Sequence, residues 1–233
     1  MNNDRTLIIY DSVKYFVPFI KDKGIKCFSS FRTVTKSEKI FRKLSFVAKV
    51  NEKEWYGEWK NYLISVDRVI IFATNRYDYI DYIAVHYPHI RIIVWYWNPV
   101  FRCFRPDVLN RKNVEYWSFD KEDCRKYNLK YNTTFYFNNI SLDSNRSEID
   151  VVFVGADKGR KEALIELQKV FTDMNVSTNF HIVPDKNKPN PDQIKPIVYN
   201  DYLNLIGHCK VILDYVQIGQ AGLTLRPMES IFF

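Results

Sequence analysis

Short apolar runs separated by amphipathic stretches set the rhythm of this chain. The runs over residues 6–10, 26–29, 68–73, 91–96 and 114–118 are too short for buried helices. They are rich in β-branched and aromatic residues, and they read as strands. Between them, residues 36–50, 54–64, 77–86 and 121–127 repeat their apolar positions at helical spacing. The stretch 138–148, NNISLDSNRSE, interrupts the pattern with Asn, Ser and charge, the composition of a linker. The alternation then restarts with a strand from Asp150, a helix, a strand over 178–183, a helix near 201–208 and a strand over 211–216. A last helix is expected from about Leu223, because Pro227 is tolerated only in a first helical turn. Strand and helix in alternation predict α/β layers with mostly parallel sheets. The expected organisation is two Rossmann-like domains, 1–138 and 150–233, joined by a linker over 139–149.

Composition narrows the class. Of 233 residues, 46% are hydrophobic and 16% aromatic, enough for a real core. No apolar run reaches the roughly 18 residues of a membrane span, and the start MNNDRTLIIYD lacks the basic and apolar regions of a secretion signal. Four scattered cysteines without a C-x-x-C pair read as thiols of a reducing compartment, and a cytoplasmic location is expected. Charge is uneven. Residues 1–149 carry 25 Lys and Arg against 17 Asp and Glu, whereas residues 150–233 carry 9 against 10. The basic first half could meet nucleic acid, an anionic membrane surface or a phosphorylated acceptor, or simply be a solvated face.

Candidate chemistry concentrates in the second half. Gly155-Ala156-Asp157-Lys158-Gly159-Arg160 follows an apolar strand and precedes a helix. Gly155 and Gly159 permit close backbone approach, while Lys158 and Arg160 can neutralise phosphate oxygens. A plain structural turn is the competing reading. A second loop, Gln217 to Thr224, holds Gln220, Ala221, Gly222, Leu223 and Thr224 ahead of the last helix. There Gln220 and Thr224 offer neutral hydrogen bonds, and the helix start offers backbone N–H groups. Arg226 and Glu229 stand three apart on that helix. Arg226 suits a diphosphate and Glu229, an acceptor when ionised, suits ribose hydroxyls; a surface Arg–Glu pair is the alternative. Both loops follow strands of one expected sheet, and ligands of open α/β sheets bind outside the carboxyl ends of strands.

Residues 150–233 resemble the donor-binding domain of glycosyltransferases with the two-Rossmann (GT-B) architecture, nearest to bacterial lipopolysaccharide or capsule enzymes. The resemblance rests on FVGADKGR (153–160), YNDYLNLIGHCKV and ILDYVQIGQAGLTLRPMES (212–230); in the first half it is architectural only. It implies a nucleotide-sugar donor held by the first loop and the last helix, with Glu229 on the ribose. The acceptor would be a saccharide or lipid-linked saccharide, with no nucleic acid partner and no cofactor beyond the donor. The D-x-D triplet that chelates metal in the other major glycosyltransferase fold does not occur, which implies a metal-independent transfer in which Lys158, Arg160, Arg226 and helix N-termini meet the leaving-group charge.

Asp11, after the first strand, could be the general base of an inverting transfer, or a helix cap. The stretch KSEKIFRKLSFVAKV (36–50) spaces Ile40, Leu44 and Val47 on one face and Lys36, Lys39 and Lys43 on another. Its ordinary reading packs the apolar stripe on the sheet; its other reading lies on an anionic membrane at the inner face of the cell envelope. Non-catalytic nucleotide or phosphate binding by a Rossmann module is the alternative function. Met228, Ile231 and Phe232 leave an apolar stripe at the end of the chain with no helix stop. The donor domain is therefore expected to be truncated, able to bind donor more readily than to turn it over.

Overall fold

The computed structural model describes residues 5–11, 14–142, 149–185 and 188–232. The chain folds as two compact units, Met1–Asn132 and Thr133–Phe233. The division falls before the polar stretch because Leu142 already packs on the apolar cluster of the second unit. Residues 143–148 of the expected linker lie outside the described residues.

The first unit is built on a parallel sheet of β1 (Thr6–Tyr10), β2 (Lys26–Ser29), β3 (Arg68–Phe72), β4 (Arg91–Tyr96), β5 (Val114–Ser118) and β6 (Lys130–Tyr131). Their order is β2-β1-β3-β4-β5-β6 and every pairing is parallel. Strands buried on both faces explain the near-continuous apolar runs. Leu7 and Ile9 join one core with Val69, Ile71, Ile92, Val94, Trp59 and Ile83, while Ile8 between them is buried as well. Helices α1 (Val17–Asp22), α2 (Lys36–Ala48), α3 (Asp78–His86) and α4 (Lys121–Tyr127) connect the strands. Residues 54–64, expected as an α-helix, instead form 3-10 turns over Glu52–Trp55 and Glu58–Ser65. Gly57 separates them, and a Cβ there would lie 2.1 Å from the Ser29 carbonyl oxygen, so the segment must pass too close to the sheet for a continuous helix.

Helix α2 begins at a capping box: Thr35 Oγ1 accepts from the Glu38 N–H at 3.3 Å, and the Glu38 carboxylate accepts from the Thr35 N–H at 2.8 Å. Its orientation overturns the ordinary reading of its sequence. Phe46 and Arg42 face the unit, with the Phe46 ring 5.6 Å from that of Phe31 and the Arg42 guanidinium over Phe31. The stripe of Ile40, Leu44 and Val47 faces solvent.

The second unit holds a three-stranded parallel sheet of β7 (Ile149–Ala156), β8 (Thr178–Val183) and β9 (Cys209–Ile212) in the order β8-β7-β9. Successive residues of the central strand serve opposite layers. Val152 packs with Tyr202 and Ile206 of α6 (Tyr199–Gly207), and Phe153 with Leu164 of α5 (Lys161–Asp173) and Ile182 of β8. The last helix, α7, spans Arg226–Phe232. It starts three residues later than expected and still keeps Pro227 in its first turn, because Thr224 Oγ1 accepts the Arg226 N–H at 3.2 Å and fixes the start there.

Both units are α/β with parallel sheets, and in both the order of strands reverses beside the first strand. In the first unit the reversal separates β2 from β3 on the two sides of β1; in the second it separates β8 from β9 on the two sides of β7. Such reversals open a crevice outside the carboxyl ends of the strands. Among the described residues no helix is long and apolar enough to cross a membrane. All four cysteines are free thiols, and burial pushes Cys27 and Cys103 up to about 12.

Candidate functional site

Strand register brings the two loops of the second unit side by side. Val152 of β7 pairs with Ile212 of β9, and the Leu213 N–H donates to the Val152 carbonyl at 2.8 Å. The chain beyond Ala156 and the chain beyond Leu213 therefore leave the sheet next to one another, at the reversal. Here the guanidinium groups of Arg160 and Arg226 converge. Both lie over the Phe153 ring, 4.9 and 5.0 Å from its centroid. Gly155 makes their approach possible: a Cβ at that position would stand 2.8 Å from a terminal nitrogen of each arginine and 3.2 Å from the Phe153 ring edge. Gly155 is the residue expected to admit a ligand to the backbone. The space its missing side chain leaves is filled by guanidinium.

The two arginines do different work. Arg160 is buried, and its Nε and Nη2 donate to the Ala156 carbonyl at 3.2 and 3.0 Å while Nη1 donates to the Tyr215 carbonyl. It fastens the end of β7 to the segment after β9. Burial, and then the Arg226 charge beside it, lower its guanidinium to about 10. Arg226 donates to the Val154 carbonyl, and through Nη1 to Asp214 Oδ1 and Thr224 Oγ1, each at 3.4 Å. Its Nε is buried and finds no hydrogen-bond partner among the described residues. A buried charged donor left unsatisfied is costly. Two like charges lie over one ring here, and among the described residues the salt bridge that balances them is from Arg226 to Asp214, at 3.4 Å.

Asp214 organises the second loop. Its carboxylate accepts from Thr224 Oγ1 at 2.6 Å and from the Thr224 N–H at 3.4 Å. Gln220 turns inward: its Nε2 donates to the Gly222 carbonyl at 2.8 Å and its Oε1 accepts from Gln217 Nε2 at 3.0 Å. Thr224 and Gln220, expected as ligand contacts, thus hold the loop's shape. Ala221 and Leu223 are exposed and Gly222 is buried, while Gly219 takes a positive φ of 80° that closes the turn.

The amino end of α5 also departs from expectation. Asp157 Oδ1 accepts from the Gly159, Arg160 and Lys161 N–H groups at 3.0, 3.1 and 3.1 Å, and Oδ2 pairs with Lys188 Nζ at 2.7 Å. Burial pushes this carboxyl up, but Lys188 and the backbone donors outweigh it and leave it below the usual range. A side-chain carboxylate occupies the place at the helix start that a phosphate would need. The Lys158 N–H is likewise given to Asp185 Oδ1, at 3.2 Å.

Glu229 forms neither the Arg226 pair nor an open acceptor. It is buried, and its two oxygens accept from the hydroxyls of Tyr199, at 2.8 Å, and Tyr202. Burial raises its carboxyl above the ordinary value, opposed by the tyrosine bonds and Arg226. The folded state therefore holds this proton to higher pH than the unfolded chain, whose glutamate titrates near 4.3. Its contribution is favourable below that value and is lost as pH rises through the folded one. Glu229→Gln, which keeps the shape, is expected to raise the thermal midpoint relative to wild type, by an amount that grows from pH 4 toward neutrality. A midpoint difference that stays flat across that range would contradict the assignment.

In the first unit Asp11 is exposed after β1, where the strand order reverses, and accepts from Ser30 Oγ at 3.2 Å. Asp214, Phe153 as a platform, Asp157 and the two tyrosines are residues of the candidate site that the sequence reading missed. One signal was available: Tyr199 and Tyr202 are spaced to share a helix face. Among the described residues no group of three or more His, Cys, Asp or Glu is placed to hold a metal ion. No protein family, curated protein or solved structure matches the chain.

Proposed function

We propose that the second unit binds a nucleoside diphosphate sugar and that the chain transfers the sugar to a saccharide or lipid-linked saccharide acceptor of a surface polysaccharide or lipopolysaccharide. The observation that carries this reading is the pair of guanidiniums on Phe153 at the β7–β9 reversal, with the Arg226 Nε unpartnered among the described residues. An incoming diphosphate would supply the missing acceptor, relieve the repulsion between the arginines, and exchange one monodentate contact to Asp214 for a bidentate one. The same positive charge would stabilise the diphosphate as it departs, the kind of preorganised electrostatic term that carries much of catalysis. Glu229, held by Tyr199 and Tyr202 three residues along α7, is the proposed partner of the ribose hydroxyls, exchanging a tyrosine bond for a sugar one. On the acceptor side, Asp11 is the carboxylate proposed to take the hydroxyl proton.

A thermal-shift panel of UDP, GDP, CDP and their sugars on the full chain tests the reading. One nucleotide series is expected to raise the midpoint, since a ligand at a hundredfold its Kd adds about 2.7 kcal/mol to the native state. A panel with no stabilisation by any nucleotide would overturn the donor site. Stabilisation without release of nucleoside diphosphate in the presence of acceptor saccharides would leave a binding module in place of a transferase.

A further inference from the structure

Helix α2 is amphipathic in the reverse sense for a helix that packs on a sheet. Seen down its axis, Glu38, Arg42, Ser45 and Phe46 share the side toward the unit, held by the Arg42 guanidinium over Phe31 and the Phe46 ring against Phe31 and Tyr56. The opposite side carries Ile40, Leu44 and Val47 at i, i+4 and i+7, which are 64%, 58% and 77% exposed, with Phe41 beside them at 64%. Isolated exposed apolar residues need no explanation, but four large ones adjacent on one helix mark an interaction surface. Lys36, Lys39 and Lys43 are exposed along one edge of that stripe, and Lys49, also exposed, caps the helix. The one acid of α2, Glu38, is engaged at the start of the helix, bonded to Thr35 and paired with Arg32 at 3.1 Å.

We infer that α2 docks this protein on an anionic lipid surface. Charge complementarity selects this occupant. A protein groove that takes an amphipathic helix must cover the apolar stripe and also answer a row of lysines. A bilayer interface does both at once, with acyl chains under Ile40, Phe41, Leu44 and Val47 and anionic headgroups at the lysines. The helix, at 13 residues, is about 20 Å long and can lie flat with its capped ends in the headgroup layer. Because Phe46 and Arg42 hold it to the unit from the other side, docking requires no unfolding. The inference stands on α2 alone and does not depend on the nucleotide reading.

Sedimentation of the full chain with vesicles tests it. Wild type is expected to sediment with vesicles of equal parts phosphatidylglycerol and phosphatidylcholine, less as salt rises, and to stay in solution with phosphatidylcholine alone. Leu44→Gln with Val47→Gln removes exposed side chains only, so the thermal midpoint should hold while sedimentation is lost. Lys39→Gln with Lys43→Gln should weaken partition by roughly five-fold per lysine. Failure of wild type to sediment, or sedimentation untouched by both double variants, overturns the inference. Concentration-dependent dimerisation without lipid, abolished by the Leu44 and Val47 substitutions, would also overturn it by assigning the stripe to a second copy of the chain.

Discussion

Arg226→Gln is expected to cut stabilisation by nucleoside diphosphates sharply while leaving the fold standing. The argument rests on how unevenly the two arginines are satisfied. Beside its bond to the Val154 carbonyl, Arg226 has a buried Nε without a partner among the described residues and 3.4 Å contacts to Asp214 and Thr224, long for charge-assisted bonds. Removing its charge deletes the repulsion felt by Arg160 and leaves Asp214 still bonded to Thr224 at 2.6 Å. The ligand loses a charged hydrogen-bond donor worth about 1.5–3 kcal/mol, a weakening of roughly 10- to 100-fold. Arg160→Gln should behave in the opposite way. Its guanidinium spans the Ala156 and Tyr215 carbonyls, and its loss leaves buried acceptors unpaired across the β7–β9 junction. Thermal midpoints of both variants, with and without the nucleotide that stabilises wild type, check the pair. Equal loss of stability without ligand in the two variants would show that both arginines are structural and would remove the main support for the donor site.

The contrast between those arginines marks where sequence reading stops. Strands β1, β2, β4, β5 and β8 fall on the residues their short runs of β-branched and aromatic residues predict. The short α1 gives no such signal: VPFIKD has Pro18 inside its first turn and too few positions to show a period. The run 211–216 suggests a strand, but β9 covers Cys209–Ile212, since Asp214 leaves the ladder to bond Thr224 and Arg226. That loop, Arg160 and Gly155 each look chemically special on local grounds. Whether an arginine faces a ligand or a carbonyl 55 residues away is decided by which strands are neighbours, and local pattern carries no such information. Helix α2 makes the same point for burial. Its period of 3.6 determines which residues share a stripe, and only the packing of Phe46 and Arg42 determines which way the stripe faces.

Phe153→Ala is expected to cost the second unit most of its stability. The ring is fully buried on β7, packs with Leu164 and Ile182, lies 6.0 Å from the Phe180 ring, and has the Arg160 and Arg226 guanidiniums 4.9 and 5.0 Å from its centroid. Truncating a buried phenylalanine costs about 3–5 kcal/mol, and each lost cation–π contact adds about 0.5–2 kcal/mol. Domains of this kind hold only about 5–15 kcal/mol in all. Amide exchange in β7, β8 and β9 should therefore accelerate sharply, while β1, β3 and β4, whose core shares no side chain with Phe153, keep their protection. Phe153→Leu separates the two roles of the ring. Leucine fills most of the volume between Leu164 and Ile182, so exchange protection should be largely retained. It has no π face, so the guanidiniums lose the surface that brings them together and nucleotide stabilisation should fall with little change in the unliganded midpoint. If Phe153→Leu left nucleotide stabilisation at the wild-type level, the ring would be core alone, and the convergence of Arg160 and Arg226 would owe nothing to it.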